Sequence, residues 1–214
     1  MQSKKYLQLT LAILKPHVVK SPFVLQKIRD LIIDNNFKVV RSRRATISRE
    51  EAELFYKEHR DKFFYNRLVT FMSSGPSDIH ILTAHDAIAK WRQLMGPTKV
   101  YQAQYSAPDT IRGMFGLSDT RNATHGSGNT NITISRIFKR TTLYKKKNNI
   151  LFIVDSTESA EREIAIFFKD FDTKKWYEKE EIFYNLGRLH FDPISFVHTI
   201  DRSYLEKQDE HIRK

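Results

Sequence analysis

The chain has 214 residues and no cysteine, which excludes a disulfide framework, thiol catalysis and cysteine metal sites. No apolar run approaches the roughly 18 residues needed to cross a bilayer, so the chain reads as soluble, with no membrane partner. Glycines are few, seven in all, and none belongs to a G-x-x-x-x-G-K-S/T loop or a G-x-G-x-x-G turn. H-E-x-x-H and G-x-S-x-G are missing as well. The eight histidines show no close metal-ligand spacing. Met1 to Tyr6 lead straight into a strand-like run, without the apolar region of a signal peptide; a cytoplasmic location is therefore expected.

Acidic residues are absent from one long stretch. The 27 residues from Gly128 to Val154 hold six basic side chains and no Asp or Glu. Without them the net charge falls from +11 to +5, a mild excess expected of a protein that binds small anions. The basic balance is thus weak evidence for nucleic acid, and Lys145-Lys146-Lys147 reads as a solvated stretch. Hydrophobic residues at 40% are enough for one domain with a real core.

Leu7 to Leu14 alternates, becomes continuously apolar and stops at Lys15-Pro16, the pattern of a buried strand. Ser21-Pro22 caps a helix from Phe23 to Asn35. Phe37 to Ile47 alternates as a second strand, and Ser48-Arg49-Glu50-Glu51 is a capping box opening a helix through Glu58. Phe64 to Met72 is a short helix, Ile79 to Ala84 a third strand, and Asp86 to Met95 a helix ended by Gly96-Pro97. Thr98 to Gly116 reads as a long loop, and Ser156 to Phe168 as a helix with Ile164, Phe167 and Phe168 on one side. The acid-rich Trp176 to Glu181 ends the obvious domain, 1–181, and 182–214 reads as a C-terminal tail whose order the sequence leaves open. This order is a split βαβ pattern: an α+β sandwich with helices on an antiparallel sheet.

Several segments together carry a resemblance. They are Leu14-Lys15-Pro16; Phe55-Tyr56-Lys57-Glu58-His59; Phe63-Phe64-Tyr65-Asn66-Arg67-Leu68-Val69; Ser74-Gly75-Pro76; Trp91-Arg92-Gln93-Leu94-Met95-Gly96; Thr110-Ile111-Arg112-Gly113; Arg121-Asn122-Ala123-Thr124-His125-Gly126-Ser127; and Ser159-Ala160-Glu161-Arg162-Glu163-Ile164. From Leu7 to about Glu181 the chain resembles the nucleoside diphosphate kinases. Gly96-Pro97-Thr98 and a longer loop before Arg112 resemble the divergent subgroup of the sixth vertebrate paralogue, which makes mitochondria an alternative compartment.

The resemblance implies a ferredoxin-like fold with a four-stranded antiparallel sheet. It also implies transfer of a γ-phosphoryl group from a nucleoside triphosphate to a nucleoside diphosphate through a phosphohistidine on His125. Imidazole suits the role because it is neutral and nucleophilic near pH 7. Phosphoryl transfer asks mainly for positioning and cationic stabilisation. Lys15, Arg92 and Arg112 would supply cations and Thr98 a hydroxyl. Lys15 and Asn122 would hold the ribose, Tyr56 and Glu163 would poise His125, and Phe64 and Leu68 would stack on the base. Mg²⁺ would be held by the nucleotide phosphates rather than by a protein cage. The alternative is a nucleotide-binding scaffold of the same fold with little or no turnover. His17 departs from the aspartate usual after Lys-Pro, and the lengthened loop lies where relatives form trimers and hexamers, leaving the state of any homo-oligomer open.

The family motif His-Gly-Ser-Asp-Ser-x-Glu-Ser-Ala is complete here but cut after Ser127 and resumed at Asp155. The 128–154 insert reads as a retained intron: Gly128-Asn129 admits a donor-like GGTAAT and Ile153-Val154-Asp155 an acceptor-like ATTGTAGAT. A functional insertion is the alternative. Such a lengthening costs roughly 2.5 kcal/mol of loop closure, which a domain withstands. The insert is expected to be an irregular or disordered loop that impairs turnover, because Ser127 and Glu163 flank the break and misplacements of about 1 Å are costly.

Overall fold

A computed structural model of the protein describes residues 6–128 and 148–201. Strand β1 (Gln8–Leu14) leads into a short helix α1 (Pro16–Val19) and then α2 (Pro22–Asp34), with Pro22 opening the helix as expected. Strand β2 (Lys38–Thr46), helices α3 (Arg49–Phe55) and α4 (Tyr65–Met72), and strand β3 (Pro76–Ala84) follow. Helices α5 (Ala87–Met95), α6 (Val100–Ser106) and α7 (Ile111–Phe115) precede the three-residue strand β4 (Thr124–Gly126). The sheet order is β2-β3-β1-β4, antiparallel at every pair, which is the expected split βαβ topology. Its centre explains the apolar run of β1: that strand has a partner on each edge and helices over each face, so six of its seven residues are buried.

One face of the sheet, through Leu11, Ile13, Ile79 and Ile81, packs on Phe55, Val69, Ile164 and Phe167. The other, through Ala12, Leu14 and Leu82, packs on Ile28, Ile32 and Trp91. The capping box of α3 forms in both directions: Glu51 N–H donates to Ser48 Oγ at 3.1 Å, and Ser48 N–H to Glu51 Oε2 at 2.9 Å.

Three expectations are corrected. Thr98–Gly116 is not a plain loop, because α6 and α7 lie in it. Each buries only two residues, Val100 and Ala103, then Ile111 and Arg112, too few to show a period. Helix α8 (Asn148–Phe167) begins eight residues before the expected Ser156, so the last seven residues of the insert are helical; residues 129–147 of the insert lie outside the described residues.

Nor does the packed chain end at residue 181. Helices α9 (Thr173–Lys179) and α10 (Glu181–Asn185) run into a hairpin of β5 (Leu189–Asp192) and β6 (Val197–Ile200). The hairpin straddles the β2 edge: Leu189 and Ile200 pack on one core, Phe191 and Phe196 on the other. Val39 N–H donates to Nδ1 of buried His198 at 3.0 Å. Phe196 lies beneath the Arg29 guanidinium at 4.5 Å. Residues 202–214 lie outside the described residues. Phe196→Ala should therefore lower stability by about 3–5 kcal/mol, the usual cost of emptying a buried phenylalanine site. Urea unfolding checks this, and an unchanged midpoint would show that the hairpin is not part of the core.

Candidate active site

The β1–β4 pairing sets the site. Ile13 stands opposite His125, and cross-strand neighbours in an antiparallel pair project to the same face. His125 therefore points to the side of α3 and α8, where Phe55 meets its ring edge-on at 4.7 Å. Just past β1, Lys15 N–H donates to Ala123 O at 3.0 Å. Ala123 has φ +67° and is spanned by a 2.8 Å bond from Thr124 N–H to Asn122 O, a γ-turn of the sparsely populated kind. The turn puts Asn122 beneath Lys15, whose Nζ donates to Asn122 Oδ1 at 2.7 Å and to Thr120 O at 3.1 Å. Asn122 Nδ2 in turn donates to Thr98 O at 3.1 Å.

Arg112, also buried, donates through Nη1 to Gly96 O at 2.9 Å and Thr98 Oγ1 at 3.3 Å, and through Nη2 to Thr124 O at 3.1 Å. Among the described residues both cations donate to neutral oxygens. Burial, then the Arg112 charge, lowers Lys15 from its ordinary 10.5 to about 7; burial, then Arg92, lowers Arg112 to about 10. Arg92 is lowered by burial too. Three crowded positive groups in low dielectric favour an anionic occupant.

The imidazole is oriented from its other side. His125 Nε2 lies 3.1 Å from Glu163 Oε2, and Ser127 Oγ donates to that same oxygen at 2.8 Å. Ser127 Oγ is held by Leu11 N–H at 3.2 Å. Burial works against the Glu163 charge, yet His125, Ser127 and Arg162 together hold the carboxyl below the usual range. A carboxylate on Nε2 places the ring proton there, so Nδ1 carries the free lone pair. Burial, then Glu163, pushes the Tyr56 phenol well above its ordinary value, so it stays a neutral hydroxyl.

The expected residues thus fall into two linked groups. Lys15, Thr98, Arg112 and Asn122 form one network, and His125, Glu163 and Tyr56 the other, joined where Arg112 grips the carbonyl before His125. Arg92 approaches from α5: a Cβ at Gly128 would stand 2.7 Å from its Nη1. Phe64 is reached through rings, with His59 stacked on Tyr56 at 6.1 Å and edge-on to Phe64 at 5.8 Å. Leu68 is half-buried against the core that holds Phe55 and Tyr56, and its N–H donates to Phe64 O at 3.0 Å.

Sequence reasoning passed over two participants. His59 and Ser127 both stood inside the quoted segments, but nothing in their spacing disclosed that one bridges two rings and the other shares Glu163. His17 packs on Phe71 at 5.6 Å; burial, then Lys15 and Arg121, lowers it to about 4, so it is neutral near pH 7. The expected displacement of Ser127 and Glu163 by the insert is not seen, because α8 packs along β1 and returns Glu163 to His125.

The family model described as nucleoside diphosphate kinase matches residues 8–143. The chain is 43% identical to nucleoside diphosphate kinase 6 of Mus musculus, over 97% of this chain and 96% of the mouse protein. It is 40% identical to nucleoside diphosphate kinase 6 of Danio rerio, over 94% and 98%. Among solved structures, the nucleoside diphosphate kinase of Aquifex aeolicus superposes with a TM-score of 0.60 at 33% identity, covering 76% of this chain and 95% of that one. A halophilic relative from Halobacterium salinarum, solved with CDP, gives 0.59 at 29%, covering 79% and 97%.

The Lys15 shift has a stability consequence. Below pH 7 the folded protein carries the buried charge and its full cost. As pH rises from about 7 toward 10.5 the folded state releases a proton that the unfolded chain keeps, and that cost is relieved. Lys15→Met should therefore raise the melting temperature at pH 7 by several degrees. It should also remove the wild-type gain between pH 7 and 9, measured by calorimetry across that range; an unchanged pH dependence would contradict the assignment.

Proposed function

The chain belongs to the nucleoside diphosphate kinase family, and on that premise we propose that it transfers the γ-phosphoryl group of a nucleoside triphosphate to a nucleoside diphosphate through His125. The observation that carries this reading is the single imidazole set between a carboxylate on Nε2 and two buried cations on the adjoining network. Nδ1 attacks the γ-phosphorus, the bond to the β-bridging oxygen breaks, and the nucleoside diphosphate leaves with that electron pair. The second substrate reverses the step. Glu163 holds the Nε2 proton and steadies the imidazolium that phosphorylation creates. Lys15, Arg92 and Arg112 draw in the phosphates and offset charge gathering on their oxygens. Asn122 and Lys15 meet the ribose, and Phe64 offers a ring face that any base can share.

Mg²⁺, which the family implies, fits as a counter-ion of the nucleotide: Lys15, Arg92 and Arg112, the side chains that would meet the phosphates, are cationic and offer a metal no ligand. Bound there, it would neutralise part of the phosphate charge. No helix of the described residues is long and apolar enough to cross a membrane.

Incubation with γ-labelled ATP should give acid-labile, base-stable label on the wild type that is lost in His125→Ala and chased off by added GDP. Retained nucleotide binding without label would turn the assignment into that of a scaffold. Because Ser127 and Glu163 already meet, excision of residues 128–154 should change the labelling rate by less than about tenfold, a fraction of the hundredfold that a 1 Å misplacement costs. A larger gain on excision would show that the insert impairs turnover after all.

A further inference from the structure

Strand β4 is gripped from both faces. His125 projects toward α3 and α8, so its neighbour Gly126, opposite Ala12, projects toward α5. There the fully buried indole of Trp91 donates Nε1–H to the main-chain carbonyl of His125 at 3.2 Å. A Cβ on Gly126 would overlap the Cδ1 edge of that indole and come 2.7 Å from Met95 Cε. The ring cannot retreat freely, because Phe37 meets it edge-on at 5.9 Å with an interplanar angle of 88°. The next residue of α5 is Arg92, which reaches past Gly128 into the site.

We infer that Trp91 is a positioning residue for the phosphotransfer: its indole, admitted by the bare Gly126, sets the depth of β4 and so the place of His125 relative to Arg92. This rests on the reading of His125 given above. The reason is mechanical. Strand β4 has three residues and, among the described residues, a single strand neighbour, β1. A rigid ring hydrogen-bonded to the carbonyl of the reacting residue removes a freedom that three residues of ladder leave open. An indole also couples the strand to α5 through one side chain, so His125 and Arg92 move as a unit.

Two substitutions separate the hydrogen bond from the steric fit. Trp91→Phe keeps an aromatic ring and removes the donor; kcat should fall about tenfold with KM within twofold, since nucleotide contacts are untouched while the reacting atom drifts by less than 1 Å. Gly126→Ala should lose about a hundredfold, and Trp91→Leu/Gly126→Ala should recover at least tenfold of that, because the smaller side chain vacates the overlap. A Trp91→Phe enzyme within twofold of wild-type kcat, or a double variant no better than Gly126→Ala, overturns the inference. A loss of folding alone would lower the active fraction without the compensation.

One readout needs no turnover. The chain has two tryptophans, so the indole N–H region of a ¹⁵N spectrum holds two signals, and the one lost in Trp91→Phe belongs to Trp91. Gly126→Ala should shift that signal and leave the Trp176 signal in place; an unmoved Trp91 signal means the contact does not exist. If the wild type takes no label on His125, the phosphotransfer reading fails by itself, and the indole signal still decides the contact.

Discussion

Two buried cations that, among the described residues, hydrogen-bond to no carboxylate are what the rest of the molecule is arranged around. Lys15 and Arg112 give their hydrogen bonds to backbone carbonyls, one amide and one hydroxyl. Removing such charges from water without an opposite charge is costly, and the cost is visible in the depressed affinity of each for its proton. A folded chain tolerates this only where surrounding packing over-determines it. Here that packing is the β1 core, apolar on both faces, whose C-terminal end delivers Lys15. The electrostatics that makes these charges costly is the electrostatics that favours an anion beside them.

The register of β1 against β4 turns that charge into chemistry. Side chains alternate across a strand, and a slip of one residue would send His125 to the α5 side and Gly126 to the carboxylate. Three features oppose the slip. Ser127 and Thr124 bind the β1 backbone through their hydroxyls, the strained turn at Ala123 fits only one alignment, and Trp91 accepts only a glycine beside His125. Glu163 then reaches the imidazole from α8, which packs along β1.

Much of this was legible before any coordinates. The alternating-then-apolar run of β1, the capping box at Ser48 and the Gly96-Pro97 stop each rest on local chemistry, and each appears where that chemistry put it. The candidate residues, ten in all, were legible only as a set, through segments matching a family, since none has a revealing local pattern. What stayed hidden needed three dimensions. Helices α6 and α7 are too short for a hydrophobic period. The hairpin at 189–200 sends its apolar residues to two different cores across an edge, so it shows neither clean alternation nor a single apolar face. The Trp91–Gly126 fit joins residues whose separation along the chain carries no signal.

Proton linkage on nucleotide binding tests the central idea most directly. At pH 8 a Lys15 that titrates near pH 7 in the free protein is mostly neutral, and a bound diphosphate should recharge it. Calorimetric titration with ADP in buffers of different ionisation enthalpy should therefore show uptake of up to one proton by the complex, absent in Lys15→Met. Binding that proceeds at pH 8 with no proton taken up would contradict the account.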